Sequence, residues 1–480
     1  MAATNRRMGR RPFLAGAGAA MAAAFARPPG AAAAGLAGLE ADLGLVPNIA
    51  GLRAGGLGRE VVLVAGYHGA GDGGGGVFVR DPADRGSRDD GGLVIVDATG
   101  NRWKRGTGGL VPSVRWFGAR GDGAADDASA FAAAREAVSE LHIPAGTYLL
   151  SALPGAAAGL ALKSNFQLHG AGIGATVLRL APAQNAPAIL GPHGGSHFAL
   201  RDLTIDHDGA RQAGGNGILI LESSDFAIEN VEVRTACNAG IVLMRQPSDA
   251  PGFTGCQRFR VRGCIVSTTL KGHGIVIDHS AFGSINGNQV HNPAESGIQL
   301  YVSSDVTVTG NVVEHDGIGG RHRSGFAGVR VTATAGQSRN ISVAGNSVAG
   351  FSRGLFIGQH VMSSSFVANT VENIGLDGIY LTQCRDNVVS GNTVRGAGQE
   401  QAGRYSGILV EDSQGTLVAH NRVFDGDSPR RLEWGISERA LTNDPVVGRN
   451  YFVGNLVAGG QKGALHRVSD QSRTERNLLE

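Results

Sequence analysis

Aromatic residues, charges and cysteines are all scarce in this chain: 5% of its 480 residues are aromatic, 18% are charged and four are Cys. The cysteines show neither a Cys-x-x-Cys motif nor the Cys/His spacing of a zinc site. A disulfide joining Cys237 to Cys256 or Cys264 is compatible with the sequence, and so is a set of buried free thiols that includes Cys384. The net charge is only +2, which gives no indication of a nucleic-acid partner.

Glycine, in contrast, is abundant, with 76 residues spread along the chain. They follow no three-residue period, which excludes a collagen triple helix. Aliphatic residues are plentiful, so the bulk of the chain is not expected to be disordered. Many Gly, Val, Ile and Asn residues together with few aromatics indicate a β-rich protein built from stacked repeats.

The segment 1–34 has a basic start, a weakly apolar Ala/Gly stretch and small residues at its end. The stretch RRPFL at 10–14 resembles the twin-arginine export signal, and its apolar part is too short to span a membrane. Small-x-small cleavage sites occur at 24–26 and 32–34. Loss of the segment 1–34 would change the net charge from +2 to −3. The resemblance implies passage through the twin-arginine translocase and a periplasmic or secreted location.

Residues 216–439 form an internal repeat in which glycine is followed by alternating apolar residues, as in HGIVID and SGIQLY. Each such segment precedes a second one, as in GNQV and GNVV. The spacing from Gly274 to Gly297 is the same as the spacing from Asn288 to Asn311. The resulting period of about 23 residues is typical of a solenoid, and strict alternation predicts short strands with one face inward.

Three short strands and their turns fit into one such period, which predicts an all-β, right-handed, single-stranded parallel β-helix. A column of Asn side chains is expected at one turn, with Cys264 replacing Asn in one coil. The Ala-rich stretch 126–140 predicts a helix, with Asp126 or Asp127 as N-cap, that covers the open end of the solenoid. We predict a signal peptide at 1–34, a β-rich segment at 35–110, the β-helix at 111–465 with regular coils over 198–460, and a tail at 466–480.

Three stretches resemble known families. The residues FGARGDGAADDASAFAAA, IPAGTYLL and LHGAGIGATVLRL resemble the opening module of the pectate-lyase-like superfamily. GYHGAGDGGGGVF, upstream of them, resembles the corresponding part of phage tailspikes and capsule depolymerases. The coils resemble those of periplasmic copper-maturation and uronan-epimerase β-helices. The resemblance implies the fold, but the fold hosts lyases, hydrolases, epimerases and noncatalytic tailspikes.

The alternation also assigns the outward positions of the Gly-apolar-x-apolar-x segments. Neighbouring coils lie ~4.8 Å apart, so Asp278, Tyr301, Arg330, Phe356 and Tyr380 should line one outer strip. Aromatic rings stack on sugars and Arg binds carboxylates, so the strip suits a polysaccharide. The alternative is that insertions cover these aromatics. The predicted substrate-binding residues outside the catalytic set are Lys271, Gln299, Phe356, Tyr380, Asp206, Asp208, His315 and Arg323.

The Gly-His-Gly at 272–274 resembles a motif of galacturonan hydrolases, but the Asp-Asp, Asn-Thr-Asp and later Arg-x-Lys of those enzymes are missing. Hydrolysis needs two carboxylates, and here Asp206 or Asp208 would have to supply the second. Elimination or epimerisation of a uronate needs a cation, a base and an acid. The predicted catalytic residues for that chemistry are Asp278, His279, His273, Tyr301 and Arg330.

The stretch VIDHS is loosely similar to the Asp-x-His of uronan epimerases, although its spacing is Asp-His and the preceding Tyr is missing. No cofactor is expected except calcium, for which Asp206, Asp208 and Glu222 are weak candidates. The sequence thus predicts an exported lyase or epimerase that acts on a uronic-acid-containing polysaccharide. The alternatives are a noncatalytic carbohydrate-binding envelope protein and a glycoside hydrolase.

Overall fold

The computed structural model describes residues 44–479 except 154–156, 247–253, 317–325, 426–429 and 442–446. The predicted signal segment, 1–34, lies outside this range. The chain divides after Arg120 into two compact units, somewhat beyond the boundary at 110 predicted from the sequence. In the described part, no helix has both the length and the apolar character that a membrane span requires.

The first unit contains a short helix, Ile49–Ala54, a 3₁₀ turn, Val114–Phe117, and a small sheet. Phe78 and Trp103 are fully buried on this sheet and form its core with Val62 and Val64. Among the described residues the sheet has five strands, which are Leu45–Val46, Val61–Val64, Gly76–Asp81, Val94–Val96 and Arg102–Arg105.

The second unit is a right-handed parallel β-helix, as the repeat predicts. In a regular coil one strand joins a first sheet, and two strands, such as Ala281–Asn286 and Gln289–His291, join a second. The first is the twelve-strand sheet, whose described strands are Leu160–Ala161, Ile189–Leu190, Ile218–Leu221, Ile241–Met244, Ile275–Asp278, Ile298–Tyr301, Ala327–Thr332, Arg353–Gly358, Ile379–Thr382, Ile408–Glu411, Trp434–Arg439 and Gly463–His466.

The second is the twenty-seven-strand sheet, in which long strands such as Ser224–Ala236 bend across two columns of shorter ones. Its described strands are Asp122–Asp126, Glu140–Ile143, Gly146–Leu150, Gln167–Gly170, Thr176–Leu180, Ala199–Asp206, Ser224–Ala236, Gln257–Arg262, Ile265–Thr269, Ala281–Asn286, Gln289–His291, Ser304–Thr309, Val312–Glu314, Ser338–Arg339, Ser342–Ala344, Ser347–Ala349, Val361–Met362, Ser365–Val367, Thr370–Glu372, Val388–Ser390, Thr393–Arg395, Leu417–Ala419, Arg422–Phe424, Tyr451–Val453, Leu456–Val457, Arg473–Glu475 and Leu478–Leu479.

The inward positions of the strands form the core. Ile275, Ile277, Ile285 and Val290 are fully buried, and each such side chain stabilises the fold by about 2 kcal/mol. The repeat glycine is a packing requirement, because a Cβ at Gly274 would lie 2.4 Å from Cγ1 of Val290. The repeating glycines therefore mark the positions where the backbone of each coil lies directly against a core side chain.

The predicted asparagine column is confirmed. Asn288 donates from Nδ2 to Oδ1 of Asn311 at 2.9 Å, and Asn311 donates in the same way to Asn346 at 2.8 Å. The column continues beyond Asn455, the last asparagine that the repeat predicts, since Asn455 donates to Oδ1 of Asn477 at 2.9 Å. For this reason the segment 466–480, predicted as a tail, adds another coil whose strands pair with those before it.

The structure also tests the predictions for the cysteines and for the Ala-rich helix. All four cysteines are buried free thiols, and Cys264 continues the asparagine column by donating its N–H to Oδ1 of Asn288 at 2.9 Å. The predicted helix forms over Ala128–Ala137, with Asp127 in the N-cap position. The side chain of Asp126 accepts the N–H of Ala128 at 3.0 Å, and Phe131 packs edge-on against Tyr148. A second 3₁₀ turn spans Gly209–Arg211.

Candidate functional site

The outward face of the twelve-strand sheet has the register that the alternation predicts. Asp278 pairs with Tyr301, and Gln299 pairs with Arg330 on the following strand. Arg330 then pairs with Phe356, which in turn pairs with Tyr380. The residues predicted as one strip therefore lie in two parallel rows two residues apart, one through Asp278 and Tyr301 and one through Gln299, Arg330, Phe356 and Tyr380. The side chains differ in exposure and separate into two groups, one around Asp278 and one around Arg330.

The first group is Asp278, His279, Tyr301 and Thr334. The imidazole Nδ1 of His279 contacts Oδ1 of Asp278, and the ring lies edge-on to Tyr301 at 5.6 Å. The hydroxyl of Tyr301 in turn shares a hydrogen bond with Oγ1 of Thr334. With Nδ1–H donated to the carboxylate, Nε2 carries the lone pair and can accept a proton. The side chains of His279 and Asp278 keep 16% and 24% of their accessible surface.

Backbone geometry fixes the position of His279. It follows the strand at a left-handed turn with φ of 47°, a conformation shared by Glu222 and Val302 on neighbouring coils. Its N–H donates to the carbonyl of Tyr301 at 2.9 Å, and its carbonyl accepts from Gly255 at 2.8 Å. The scaffold thus holds the imidazole at the rim of the sheet, where the strand ends and the turn begins.

Arg245 lies at the same rim and was not predicted as a site residue. It follows the strand Ile241–Met244 as His279 follows Ile275–Asp278, and these two strands pair. The position is half-buried, and strand spacing places the two backbones ~4.8 Å apart. An Arg immediately after a repeat strand is the only sequence signal, and it is easily taken as the start of the following insertion.

The second group contains His273, Glu295 and Arg330. Nδ1 of His273 accepts the N–H of Ser296 at 3.0 Å, so the proton resides on Nε2, which lies 2.9 Å from the Glu295 carboxylate. Burial, together with the charge of Arg330, lowers the pKa of His273 to about 4. His273 is therefore neutral near pH 7 and acts as a hydrogen-bond donor. His273 was predicted as a catalytic residue, and because its lone pair accepts from Ser296 it cannot serve as the base in this arrangement.

Phe356 is 8% exposed, which corrects the prediction that its ring faces an open strip. The guanidinium of Arg330 lies 5.2 Å from the ring centroid, that of Arg353 lies 5.4 Å away, and Tyr380 stacks at 5.2 Å. The cations themselves cover the aromatic surface. Since a sequence shows only alternation, it cannot reveal that a long side chain folds back over a neighbouring ring.

Tyr380 also differs from its prediction as a sugar contact. Its hydroxyl donates to the buried carboxylate of Glu411, and burial followed by this carboxylate raises the pKa of Tyr380. It therefore remains protonated and is a donor, not a base. Arg353 lies 3.9 Å from Asp377, whose pKa is raised by full burial, and Arg439 lies 3.9 Å from Glu411. Neither Asp377 nor Glu411 was predicted as a site residue.

The two groups do not form a single constellation. His273 precedes the strand Ile275–Asp278 and Asp278 ends it, so their Cα atoms are five residues apart and at most ~18 Å from each other. The predicted catalytic set is thus divided: Asp278, His279 and Tyr301 stay together, while His273 and Arg330 belong to the other group. A polymer that lies along this face could contact both groups.

Several buried polar atoms on this face lack partners in the described residues. They are Nε of Arg330, Nε of Arg353 and Oε1 of Gln299. Gln299 is 7% exposed, and its amide nitrogen reaches Oγ1 of Thr332 at 3.4 Å. The unpaired Nε donor of Arg330 favours an anionic ligand, whereas the guanidinium of Arg353 already lies 3.9 Å from the carboxylate of Asp377.

The predicted loop residues are placed elsewhere or hold the fold together. Asp206 lies in the twenty-seven-strand sheet and binds Arg179 at 3.0 Å, while Asp208 pairs with Arg211. This corrects the expectation that they border the strip, and it removes the second carboxylate that hydrolysis would need. Of the remaining candidates, Lys271 is exposed, His315 packs against Phe351 at 5.8 Å, and Arg323 lies outside the described residues.

No group of three or more His, Cys, Asp or Glu side chains is arranged for a metal ion within the described ranges. The calcium candidates are separately engaged. Glu222 pairs with His193 at 2.8 Å and accepts the N–H of Gln246 at 3.0 Å. Asp206 and Asp208 bind the two arginines named above.

Sequence comparison with known proteins finds relatives among polysaccharide-modifying enzymes. The chain is 33% identical over 147 residues to the mannuronan C5-epimerase AlgE2 of Azotobacter vinelandii, a match that covers 27% of this chain and 15% of that enzyme. The chain therefore matches only a small part of that relative. Residues 45–108 match the family model for the small four-stranded β-sheet domain of phage tail proteins.

Structural comparison finds the same fold in two settings. The A-module of mannuronan C-5 epimerase AlgE6 from Azotobacter vinelandii superimposes with a TM-score of 0.63 at 21% identity, covering 76% of this chain and 98% of that one. Tailspike protein 2 of the Escherichia coli O157:H7 bacteriophage CAB120 gives 0.56 at 15% identity, covering 92% and 53%. The family model for the right-handed beta helix region matches residues 189–313 and 284–459. Since these ranges span more than half of the chain, the protein belongs to the right-handed β-helix family.

Proposed function

We propose that this protein binds a uronic-acid-containing polysaccharide along the outer face of the twelve-strand sheet and abstracts the proton from C5 of a uronate. The observation that carries the proposal is the imidazole of His279, held at Nδ1 by Asp278 with its Nε2 available, on the same face as buried guanidinium donors that lack acceptors among the described residues. The partial relationship to a mannuronan C5-epimerase supports the choice of substrate class.

The residues at the rim of the sheet, which are His279, Asp278, Arg245 and Tyr301, each have a role in this chemistry. Nε2 of His279 takes the C5 proton, and Asp278 stabilises the imidazolium that forms. Arg245, at the equivalent position on the preceding strand, neutralises the adjacent carboxylate and so acidifies the C–H bond. Tyr301 supplies a proton either to the opposite face of C5, which completes epimerisation, or to the departing C4 oxygen, which completes elimination.

The second group contributes binding. Arg330 lies two strands from Asp278, a distance of ~10 Å along the axis, and therefore faces a different sugar unit. Its Nε, which has no acceptor in the described part of the molecule, can donate to a carboxylate of that unit. A cation on this face suits an acidic polymer, and a binding function without turnover would use the same residue.

The test is incubation with polymannuronate, pectate and a neutral glucan. Absorbance at 235 nm reports elimination, and proton NMR reports the ratio of epimeric uronates. We expect either elimination or epimerisation with a polyuronate, and neither with the glucan. The rate should fall at least a hundredfold in His279→Gln. His291→Gln is the matched control, since His291 lies 3.7 Å from Glu314 on the other sheet. Turnover that survives in His279→Gln would contradict the assignment of the base.

A parent protein that binds a polyuronate but shows no turnover, with binding reduced in Arg330→Gln, would favour the noncatalytic alternative. Hydrolysis is the weaker candidate, because Asp206 and Asp208 are paired with arginines away from Asp278. It would appear as new reducing ends without absorbance at 235 nm.

We further propose that the segment 1–34 directs the protein out of the cytoplasm through the twin-arginine translocase. Replacement of Arg10 and Arg11 by Lys should retain the protein in the cytoplasm, as measured by fractionation. Unchanged export of this variant would contradict the pathway.

A further inference from the structure

One side chain departs from the polar pattern of its row. At the start of the second strand of the described coils, a residue adopts a left-handed backbone with φ between 49° and 65°. In the described coils this position is polar except at Phe282 and Gly415, as shown by His197, Asp225, Arg258, Asp305, Asn340, Ser363, Asp386 and Arg449, so Phe282 is the one bulky apolar residue among them. Left-handed φ is unfavourable for a bulky aromatic residue, whereas Asn and Asp tolerate it.

Phe282 is also 56% exposed, in a chain with few aromatics. The interior could not accept it instead. Phe198, Phe226 and Phe259 stack in an inward column, and the next inward position is Gly283, where a Cβ would lie 2.0 Å from Cζ of Phe259. The column is therefore already filled by Phe259. Folding gains little from Phe282, which strains the backbone and exposes an aromatic ring.

The neighbours of Phe282 argue for a sugar and against a protein partner. Its row neighbours are Arg258, paired with Asp225 at 2.7 Å, and Asp305, which accepts from Asn340 at 2.9 Å. A protein interface needs a contiguous apolar patch, and a single ring between charged side chains is not one. A sugar presents an apolar C–H face surrounded by hydroxyls, which matches a ring with polar neighbours.

Phe282 is three residues beyond His279, so their Cα atoms lie at most about 11 Å apart. We infer that Phe282 is the stacking platform for a sugar ring of the same polysaccharide, one or two units from the uronate that His279 attacks. This inference rests on the proposed function for its substrate, and it assigns a specificity-determining residue at the turn that borders the twelve-strand sheet.

The experiment compares Phe282→Asp, Phe282→Trp and Tyr451→Asn. Asp restores the residue type of the row and relieves the backbone strain, so the folded state should be at least as stable as the parent. We expect the KM or Kd for polymannuronate to rise about tenfold in Phe282→Asp, with kcat changed less, and to stay near the parent value in Phe282→Trp. Tyr451, 45% exposed on the same sheet, is the control and should change neither constant.

A second readout is direct. The tryptophan of Phe282→Trp should show a blue shift or quenching on addition of polymannuronate, while a tryptophan at Asp305 in the next coil should respond less. If the parent turns over polymannuronate but Phe282→Asp keeps its KM and Phe282→Trp shows no spectral change, the inference is wrong and the proposed function stands. If the parent binds without turnover, the proposed chemistry is wrong and Phe282 is judged on Kd alone. Absence of both binding and turnover would overturn both.

Discussion

The asparagine column and the outer row of the twelve-strand sheet, from Gln299 through Arg330 and Phe356 to Tyr380, are two rows of side chains along the same solenoid. In the column one residue type recurs, and Asn346, Asn369 and Asn392 each donate to the next member. In the outer row every coil carries a different residue, from Gln299 to Tyr380, and buried donors stay without acceptors among the described residues. The asparagine column stabilises the stack of coils. The side chains of the outer row are not required for that stacking, so they can serve in ligand binding.

The largest effect on stability is expected from breaking the column. Asn369 is 1% exposed and makes four hydrogen bonds of 2.9–3.0 Å to Asn346, Val343 and Asn392. Asn369→Ala leaves these groups buried without partners and should lower the free energy of unfolding by about 4 kcal/mol in urea denaturation. Asn340→Gly removes one exposed hydrogen bond at a φ of 53° that Gly adopts, and should cost less than ~1 kcal/mol. Equal losses would contradict the distinction.

A smaller effect concerns pH and the outer row. The pKa of His273 is lowered to about 4, so its neutral form stabilises the fold fully above the ordinary value of ~6.5. That contribution is lost as the pH falls from ~6.5 through 4, and should amount to about 3 kcal/mol. In His273→Asn the amide oxygen replaces Nδ1 as the acceptor for Ser296, and the loss between pH 7 and 4 should shrink. Urea midpoints across this range provide the measurement, and an unchanged slope would show that another group is responsible.

The next effect is smaller still. Tyr380→Phe removes the phenol donor from the buried carboxylate of Glu411 but leaves Oγ1 of Thr382 at 3.3 Å. We expect a loss of about 1 kcal/mol in the free energy of unfolding. Tyr451→Phe, at an exposed position, is the matched control and should be neutral. A loss in the control as large as in Tyr380→Phe would argue against the buried hydrogen bond.

The smallest effect on stability is expected where the effect on binding is large. Arg330→Met keeps an unbranched chain over Phe356 and removes a buried donor that lacks an acceptor in the described part of the molecule. The free energy of unfolding should stay within ~1 kcal/mol of the parent value. Affinity for polymannuronate, measured by calorimetry, should fall at least tenfold. A stable variant with unchanged affinity would remove Arg330 from the binding surface.

The sequence predicted the features that repeat. Gly274 and Gly297 set the period, and the alternation in HGIVID placed Asp278 opposite Tyr301. The prediction failed where a long side chain can contact several neighbours. Arg330, for example, covers Phe356 and lies beside His273. It also missed Asn477, because the last coil departs from the glycine pattern while keeping the asparagine. Positions that stacking dictates are readable from the chain, whereas side-chain conformations depend on contacts between coils.

The central claim is that His279 removes the C5 proton of a uronate bound on the outer face of the twelve-strand sheet. The most direct test uses polymannuronate deuterated at C5, because both epimerisation and elimination release this label into water. The account predicts release by the parent and by His291→Gln, and at least a hundredfold slower release by His279→Gln. Release at the parent rate from His279→Gln, or no release from the parent, would contradict it.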